Sequence, residues 1–281
     1  MAINFKTLRI AAVSLLTAGG LLGACNWPVS SLHSVTVHDT KSGISGVPAS
    51  IPAGQYTFNF VTTVPGGGLQ LARIGSDYSI GQAMKDAAVV FGPPGPAFAA
   101  AVHRFYSRLA LLGGLGGSGS YSTYLSPGNY VALDTNSNKF EPFKVTFAKA
   151  LPNYPKPTIQ FAGIMGTKNG MDHFEWHIRG EFAKSGVLRF VAANGDDPHF
   201  LAMFFLHPGK TEQQCISYQG APAGAPCDQV VNTGIVSPLN AMTMSYSFPH
   251  AGTYIVVCFM PDDTTGMPHA QLGMATKILL H

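Results

Sequence analysis

The sequence predicts an all-β protein built from two tandem Greek-key β-sandwiches, the first of which contains a helical insertion. The 281 residues include 32 glycines and 20 prolines, which favours frequent turns over a helical bundle. Alternating apolar and polar runs of strand length occur throughout the chain. One series of such runs occurs twice, and a repeat unit of this length indicates tandem domains rather than a solenoid.

The composition excludes several function classes. Only 11% of the residues are charged and 46% are hydrophobic, whereas ordinary globular domains contain about a quarter charged residues. Such a chain is not a disordered, highly charged tail. The net charge is +3 and the Lys and Arg residues are scattered, so no basic stripe indicates binding to nucleic acid.

Residues 1–24 have the pattern of an export signal. Lys6 and Arg9 precede an apolar run from Ile10 to Leu22, which is too short to span a bilayer comfortably. The run leads into Leu-Gly-Ala-Cys25, which resembles the bacterial lipobox, where the Cys is lipidated. We therefore predict export to the periplasm or cell surface with a lipid anchor at Cys25. The alternative is an ordinary cleaved signal peptide in which Cys25 is incidental.

Three further cysteines remain if Cys25 carries lipid. Exported chains tend to oxidise their thiols in pairs. Cys215 and Cys227 flank a loop rich in Gly and Pro, which a disulfide between them would close. That pairing leaves Cys258 as a lone thiol in an oxidising compartment, so we expect it to bind something.

The first half, residues 34–148, begins with strand-like runs at 51–63 and 69–74 and ends with another at 126–133. Between them, residues 79–91 and 97–112 have helical apolar spacing. We interpret these helices as an excursion packed on the sandwich rather than as a cofactor or partner surface.

The second half, residues 157–281, follows a proline-containing linker at 149–156, which we expect to be semi-rigid. Its strand-like runs correspond in order to those of the first half, and they lie at residues 185–193, 201–206, 249–257 and 275–280.

The residues after the third of these runs indicate a metal centre. Cys258, His269 and Met274 follow one another on a single loop between two strands. A trigonal copper site needs two imidazoles and one thiolate, with a weak axial thioether from Met. His199, at a loop-to-strand junction, is the candidate for the second imidazole. A metal-free relic is the alternative, because a lone Cys is often a buried small hydrophobe.

The second half resembles the cupredoxins, the blue (type 1) copper family, and in particular bacterial exported cupredoxin-like proteins. Three motifs carry the resemblance: Asn194 to His199, Gly252 to Cys258, and Pro261 to Met274. The resemblance is good over roughly residues 160–281, whereas over residues 35–148 it extends only to the scaffold of strands. The resemblance implies one copper ion, bound by His199, Cys258, His269 and Met274. The Cys-to-His spacing is longer than in the small plastocyanin-like members.

Phe200 and Phe259 each directly follow one of these candidate ligands. We expect the two rings to exclude water from the metal–sulfur bond.

The first half lacks the corresponding ligands. Matching the strands of the two halves places Gly67 at the position of His199 and Asp134 at that of Cys258. The loop from Thr135 to Pro142 contains neither His nor Met. We therefore predict a degenerate first domain that binds no metal.

Other motifs argue against an enzyme. His173 and His177 share a face of a predicted strand but would lie about 13 Å apart, so we expect no second metal site there. The sequence contains no His-x-His pair, which multicopper oxidases use for their copper cluster, and neither a Gly-x-Ser-x-Gly elbow nor a Walker loop.

The sequence therefore predicts single-electron transfer in the cell envelope, with a redox protein or copper acceptor as partner and membrane contact through the lipid. We expect His269 to reach the surface as the electron exit, within a mostly apolar docking face. Copper storage or delivery, helped by Met260 and Met267, is one alternative. A metal-free structural or interaction module is another.

Overall fold

The computed structural model of the chain describes residues 33–92, 95–135, 139–149, 152–168, 171–195, 197–217 and 224–281. The predicted signal peptide and Cys25 lie outside the described residues, as do residues 218–223 of the loop between Cys215 and Cys227. None of the described helices combines the length and the apolar character needed to span a bilayer.

The first half consists of two facing sheets with a pair of helices between two of the strands. Its elements are β1 (His33–Thr40), β2 (Gly43–Ser45), β3 (Ser50–Pro52), β4 (Gly54–Thr62), β5 (Leu69–Ile74), α1 (Ile80–Val90), α2 (Phe98–Arg108), β6 (Leu109–Leu115), β7 (Gly119–Leu125), β8 (Gly128–Asp134) and β9 (Phe140–Thr146). One sheet has the order β2-β1-β4-β7, and the other has the order β3-β9-β8-β5-β6. Apolar side chains from both sheets form one buried core.

The second half repeats this arrangement. Its elements are β10 (Ile159–Lys168), β11 (Met171–Gly180), β12 (Ser185–Ala192), β13 (Ala202–Leu206), α3 (Glu212–Ile216), β14 (Cys227–Asn232), β15 (Ala241–Ser247), β16 (Gly252–Val257), a 3-10 turn (His269–Leu272) and β17 (Ala275–Leu280). The sheet orders are β11-β10-β12-β15 and β14-β13-β16-β17.

The two halves match in pairing direction and in register. β10 pairs in parallel with β12, as β1 does with β4, and each first strand also forms an antiparallel hairpin with the next. Ala202 faces Val257 as Gln70 faces Leu133. Counted from these pairs, Gly67 and Asp134 stand where His199 and Cys258 stand in the second half, as the sequence comparison predicts.

A buried tyrosine hydroxyl occupies the same position in each half. Tyr130 and Tyr254 each donate to the carbonyl oxygen four residues earlier in the chain, at 2.6 Å. The hydroxyls anchor the turn that precedes β8 in one half and β16 in the other.

The halves are joined along a continuous sheet. β15 pairs antiparallel with β7, so two four-stranded sheets merge into one of eight strands. The linker packs on this seam, because Tyr154 donates its hydroxyl to Ala241 O and lies under the guanidinium of Arg189.

The helical insertion packs as predicted, but its second helix is shorter than predicted. The side chain of Ser79 caps α1 by accepting from Gln82 N. Leu109 to Leu112, predicted as helix, belong to β6, because pairing with β5 on one side and with Val236 and Ser237 on the other satisfies backbone groups of this segment and buries its leucines. The spacing of such a short apolar run is compatible with either structure.

Gln70 is a buried side chain that joins the two halves. Its Nε2 donates to Ile235 O at 3.0 Å, and its Oε1 accepts from Ile235 N at 2.7 Å. We expect Gln70→Ala to lower the free energy of unfolding by roughly 1–3 kcal/mol, because the backbone N of Ile235 loses its partner, whereas Ile235 O keeps the bond from Gly113 N at 2.8 Å. Urea unfolding measures this cost. Gln229→Ala, on an exposed position of β14, is the control, and an equal cost for both variants would contradict the role of Gln70.

Candidate metal centre

Four elements bring the predicted ligands to one end of the second sandwich. His199 forms a two-bond bridge with Val236 just before β13. Cys258 directly follows β16, and Met274 directly precedes β17. His269 begins the 3-10 turn between them. The ends of three strands therefore fix the positions from which these side chains converge.

Backbone hydrogen bonds close the loop that carries three of the residues. Cys258 N donates to Met274 O, and Met274 N donates to His269 O. His269 N donates to Met260 O, and Ala270 N donates to Cys258 O. The long Cys-to-His loop is thus tied at both ends.

His199, Cys258 and His269 form a compact, fully buried group. The two Nδ1 atoms lie 3.1 Å apart, and Cys258 Sγ lies 3.6 Å from Nδ1 of His269. The candidate ligand atoms of all three residues lie within 4.8 Å of one another. Each side chain is 0% exposed.

Met274 lies beside this group. A Cβ placed on Gly163 of β10 would come within 2.6 Å of Met274 Cε and 2.7 Å of His199 Cδ2. The thioether end of Met274 and the ring of His199 therefore both pack on Gly163, where only a glycine leaves room for them.

The donor set fits a metal ion. Two nitrogen ligands, each about 2.0–2.1 Å from one ion, lie about 3.1–3.4 Å apart when the angle between them is about 98–110°. The observed 3.1 Å between the Nδ1 atoms matches that separation. Two imidazole nitrogens and one sulfur meeting in a buried space are a soft ligand set of the kind that binds transition metals.

The structure adds an acidic partner that the sequence analysis did not single out. Asp197, 0% exposed, places Oδ2 3.1 Å from His269 Nε2. A carboxylate on the distal nitrogen of a ligating imidazole fixes its tautomer and orientation. The signal lay within the Asn194 to His199 motif, as a carboxylate two residues before the histidine.

Phe174 on β11 is a second residue of the site that the sequence did not predict. Its ring stacks on His269 with centroids 3.7 Å apart and lies edge-on to His199. It reaches the site because Gly273 has a φ of 115° and approaches the backbone of β11 closely, where a Cβ would lie 2.6 Å from Phe174 O. Phe200 packs in the same apolar cluster as Cys258, whereas Phe259 packs in a neighbouring cluster.

The expectation that His269 reaches the surface is wrong. Its side chain is 0% exposed, since the β10–β11 hairpin covers it with Phe174. The helical insertion closes the same end: Tyr106 of α2 donates its hydroxyl to Pro261 O at 2.6 Å, and the ring of Phe98 lies against Gly266.

Burial keeps the metal-free site uncharged. It raises the pKa of the Cys258 thiol to about 12 and lowers the pKa of His199 to about 3. Burial, followed by the proximity of His199, holds the pKa of His269 well below its usual range. Burial, followed by repulsion from Asp263, raises the pKa of Asp197 to about 8. A metal ion bound here must therefore displace the thiol proton.

His199 makes the stability of the metal-free protein depend on pH. An unfolded His takes up a proton near pH 6.5, whereas folded His199 does so only near pH 3. Above pH 6.5, His199 is neutral in both states and does not lower the free energy of unfolding. As the pH falls from 6.5 towards 3, only the unfolded state takes up the proton, so the free energy of unfolding decreases. We expect wild type to lose up to about 1.4 kcal/mol per pH unit over this range relative to His199→Gln. Urea unfolding at several pH values measures the difference, and parallel curves for the two proteins would contradict it.

The remaining cysteines pair as predicted. A disulfide joins Cys215 and Cys227, whose Cα atoms lie 5.7 Å apart, and Cys258 is a buried free thiol.

His177 lies 2.7 Å from Glu175 on the exposed side of β11.

The duplicated strand order, the parallel first pair in each half and the buried His–Cys–His group define a cupredoxin-like, all-β protein. No protein-family model matches the sequence, and no curated protein matches it significantly.

Among solved structures, the chain is similar to auracyanin from the photosynthetic bacterium Roseiflexus castenholzii, with 16% identity over 43% of this chain and 94% of that one and a TM-score of 0.26. Copper nitrite reductase from Nitrosomonas europaea is 12% identical over 89% and 94%, with a TM-score of 0.26. A multicopper oxidase is 11% identical over 88% of each chain, with a TM-score of 0.25. The fold assignment rests on the strand order of the two halves.

Proposed function

We propose that the chain binds one copper ion through His199, Cys258 and His269, with Met274 as the axial ligand, and carries single electrons in the cell envelope. The convergence of two imidazole nitrogens and one thiol sulfur within 4.8 Å of one another, with His269 Nδ1 at 3.1 Å from His199 Nδ1 and 3.6 Å from the sulfur, all buried, is the observation that supports this proposal. Two His and one Cys in a trigonal set with a weak axial Met are the ligands of type 1 copper. Copper held in this way supplies reversible one-electron exchange between Cu(II) and Cu(I).

The protein's part is to keep the ligands still. Asp197 orients the ring of His269, while Phe174 packs against both imidazoles. Phe200 N donates to Cys258 Sγ at 3.4 Å, and such hydrogen bonds to the sulfur tune the reduction potential. A ligand set that cannot rearrange gives a small structural change on electron transfer.

Burial of the centre favours electron transfer over copper storage or delivery. An electron needs no opening in the protein, whereas a copper ion passed to an acceptor requires the ligands to separate and the covering residues to move. Met260 is buried and Met267 is 41% exposed, so only Met267 is placed to receive Cu(I) from outside. We propose an electron carrier rather than an enzyme, because the sequence has no His-x-His pair.

The proposed setting is the periplasm or cell surface, with the chain anchored through lipid at Cys25 and a redox protein as partner. The disulfide between Cys215 and Cys227 supports an oxidising compartment.

Repeated redox cycling of the copper-loaded chain in the presence of a Cu(I) chelator separates electron transfer from delivery. Electron transfer predicts a reversible one-electron titration, with copper retained through several cycles. Met267→Ala should leave the titration unchanged, whereas Met274→Ala should shift the midpoint potential. Rapid loss of Cu(I) to the chelator, slowed by Met267→Ala, would instead establish delivery.

A further inference from the structure

A second cluster of candidate ligands lies next to the His–Cys–His group. Asp172 on β11 and the loop residues Asp262 and Asp263 offer carboxylate oxygens that all lie within 4.8 Å of one another. Asp197 is adjacent, because its Oδ2 accepts from Asp263 N at 3.3 Å. These residues account for four of the chain's 14 acidic side chains, which is a high local density of carboxyl groups in a chain with so few acidic residues.

Two of these carboxylates hold a buried oxygen without a partner. Asp262 is 0% exposed, and its Oδ1 accepts from the backbone N of Thr265 at 2.6 Å and from its hydroxyl, while Oδ2 has no hydrogen-bond partner. Asp197, also 0% exposed, has no partner for Oδ1. Leaving a buried carboxylate oxygen without a partner is costly.

The three clustered carboxyl groups form no ion pair with a described basic side chain. Within the described part of the chain, none of the ion pairs involves Asp172, Asp262 or Asp263. Burial, followed by repulsion from Asp262 and then Asp263, raises the pKa of Asp172.

We propose that Asp172, Asp262 and Asp263 bind a hard divalent cation of the size of Ca²⁺. The ligands are all oxygens, which such cations prefer, and Ca²⁺–O distances of about 2.3–2.6 Å allow ligands to lie up to about 5 Å apart. Mg²⁺ binds oxygen at about 2.0–2.1 Å and requires a tighter arrangement. The unpartnered Oδ2 of Asp262 is the buried oxygen that such an ion would satisfy.

The cation would connect two elements that enclose the first site. Asp172 stands two residues before Phe174 on β11, whereas Asp262 and Asp263 belong to the loop that carries His269. A bound ion would therefore hold the β10–β11 hairpin against the loop. This site is separate from the proposed copper ligands, and its occupation does not depend on them.

Terbium luminescence tests the proposal in the copper-free full chain, with Tyr106 as a nearby sensitiser. We expect saturable binding of one Tb³⁺, displaced by Ca²⁺, and a calorimetric Ca²⁺ dissociation constant of about 10⁻⁴–10⁻³ M, as in extracellular calcium modules. Asp263→Asn and Asp172→Asn should each weaken Ca²⁺ binding at least about tenfold. Both residues are only partly buried, so these variants leave the fully buried Asp262 and its bonds to Thr265 intact.

Asp228→Asn, a change to a carboxylate that is 62% exposed on β14, is the matched control and should bind Ca²⁺ as wild type does. Cys258→Ser should also retain Ca²⁺ binding, which separates this proposal from that of the copper site. Absence of saturable binding, unchanged affinity in both aspartate variants, or tighter binding of Mg²⁺ than of Ca²⁺ would overturn the assignment.

Discussion

Replacing Cys258 by serine is expected to abolish the intense visible absorption of the copper-loaded protein and to weaken copper binding by more than about 100-fold. Loss of a residue that only hydrogen-bonds to a metal ligand typically lowers the metal affinity 10–100-fold. This change removes a ligand itself, the only sulfur anion of the proposed set. A serine hydroxyl has a much higher pKa than a thiol and stays protonated in a buried site. Absorption spectra and a competitive copper titration measure the two effects.

The variant should still fold, because serine is slightly smaller than cysteine and the site is closed by backbone bonds. Burying the hydroxyl should cost only about 1–3 kcal/mol. Met267→Ala, on the exposed part of the same loop, is the control and should keep both the colour and the affinity. A Cys258→Ser protein with an unchanged spectrum would remove Cys258 from the ligand set.

Replacing Phe174 by alanine is expected to lower the free energy of unfolding by about 3–5 kcal/mol, as for other buried phenylalanines. Phe174 is 0% exposed and lies against both imidazoles, so its loss leaves a cavity beside His199 and His269. Urea unfolding of the metal-free protein measures the cost. With copper bound, the same cavity should admit water and speed the exchange of copper with a chelator.

Phe147→Ala provides the matched control, since Phe147 is 85% exposed and its removal should change stability by less than about 0.5 kcal/mol. Phe174→Leu should recover part of the lost stability, because it refills much of the volume. Equal stability of wild type and Phe174→Ala would show that the ring does not hold the β10–β11 hairpin on the site.

The duplication and the candidate ligand set could be predicted from the sequence because both depend on local patterns. Strand periodicity places Leu69 to Ile74 and Ala202 to Leu206 in matching positions, and the ladder register agrees. Cys258, His269 and Met274 lie on one loop, so their closeness follows from chain connectivity. His199 could be assigned because its motif precedes a strand next to the one that ends at Cys258.

The cover over the site could not be predicted, because it depends on packing between segments distant in sequence. Phe174 comes from a hairpin about 95 residues before His269, and Tyr106 comes from the insertion in the other half. The sequence pattern of β11 shows an aromatic residue on a strand but not which surface it meets. The prediction of an exposed His269 was wrong for this reason. The end of α2 was misplaced because only pairing with β5 determines that Leu109 begins a strand.

The most direct test of copper binding by His199, Cys258 and His269 is a titration of the full chain with Cu(II), followed by visible absorption and EPR. We expect one copper ion per chain, an intense thiolate-to-copper band and the EPR signal of a type 1 site. A colourless protein, or one that binds no stoichiometric copper, would contradict it.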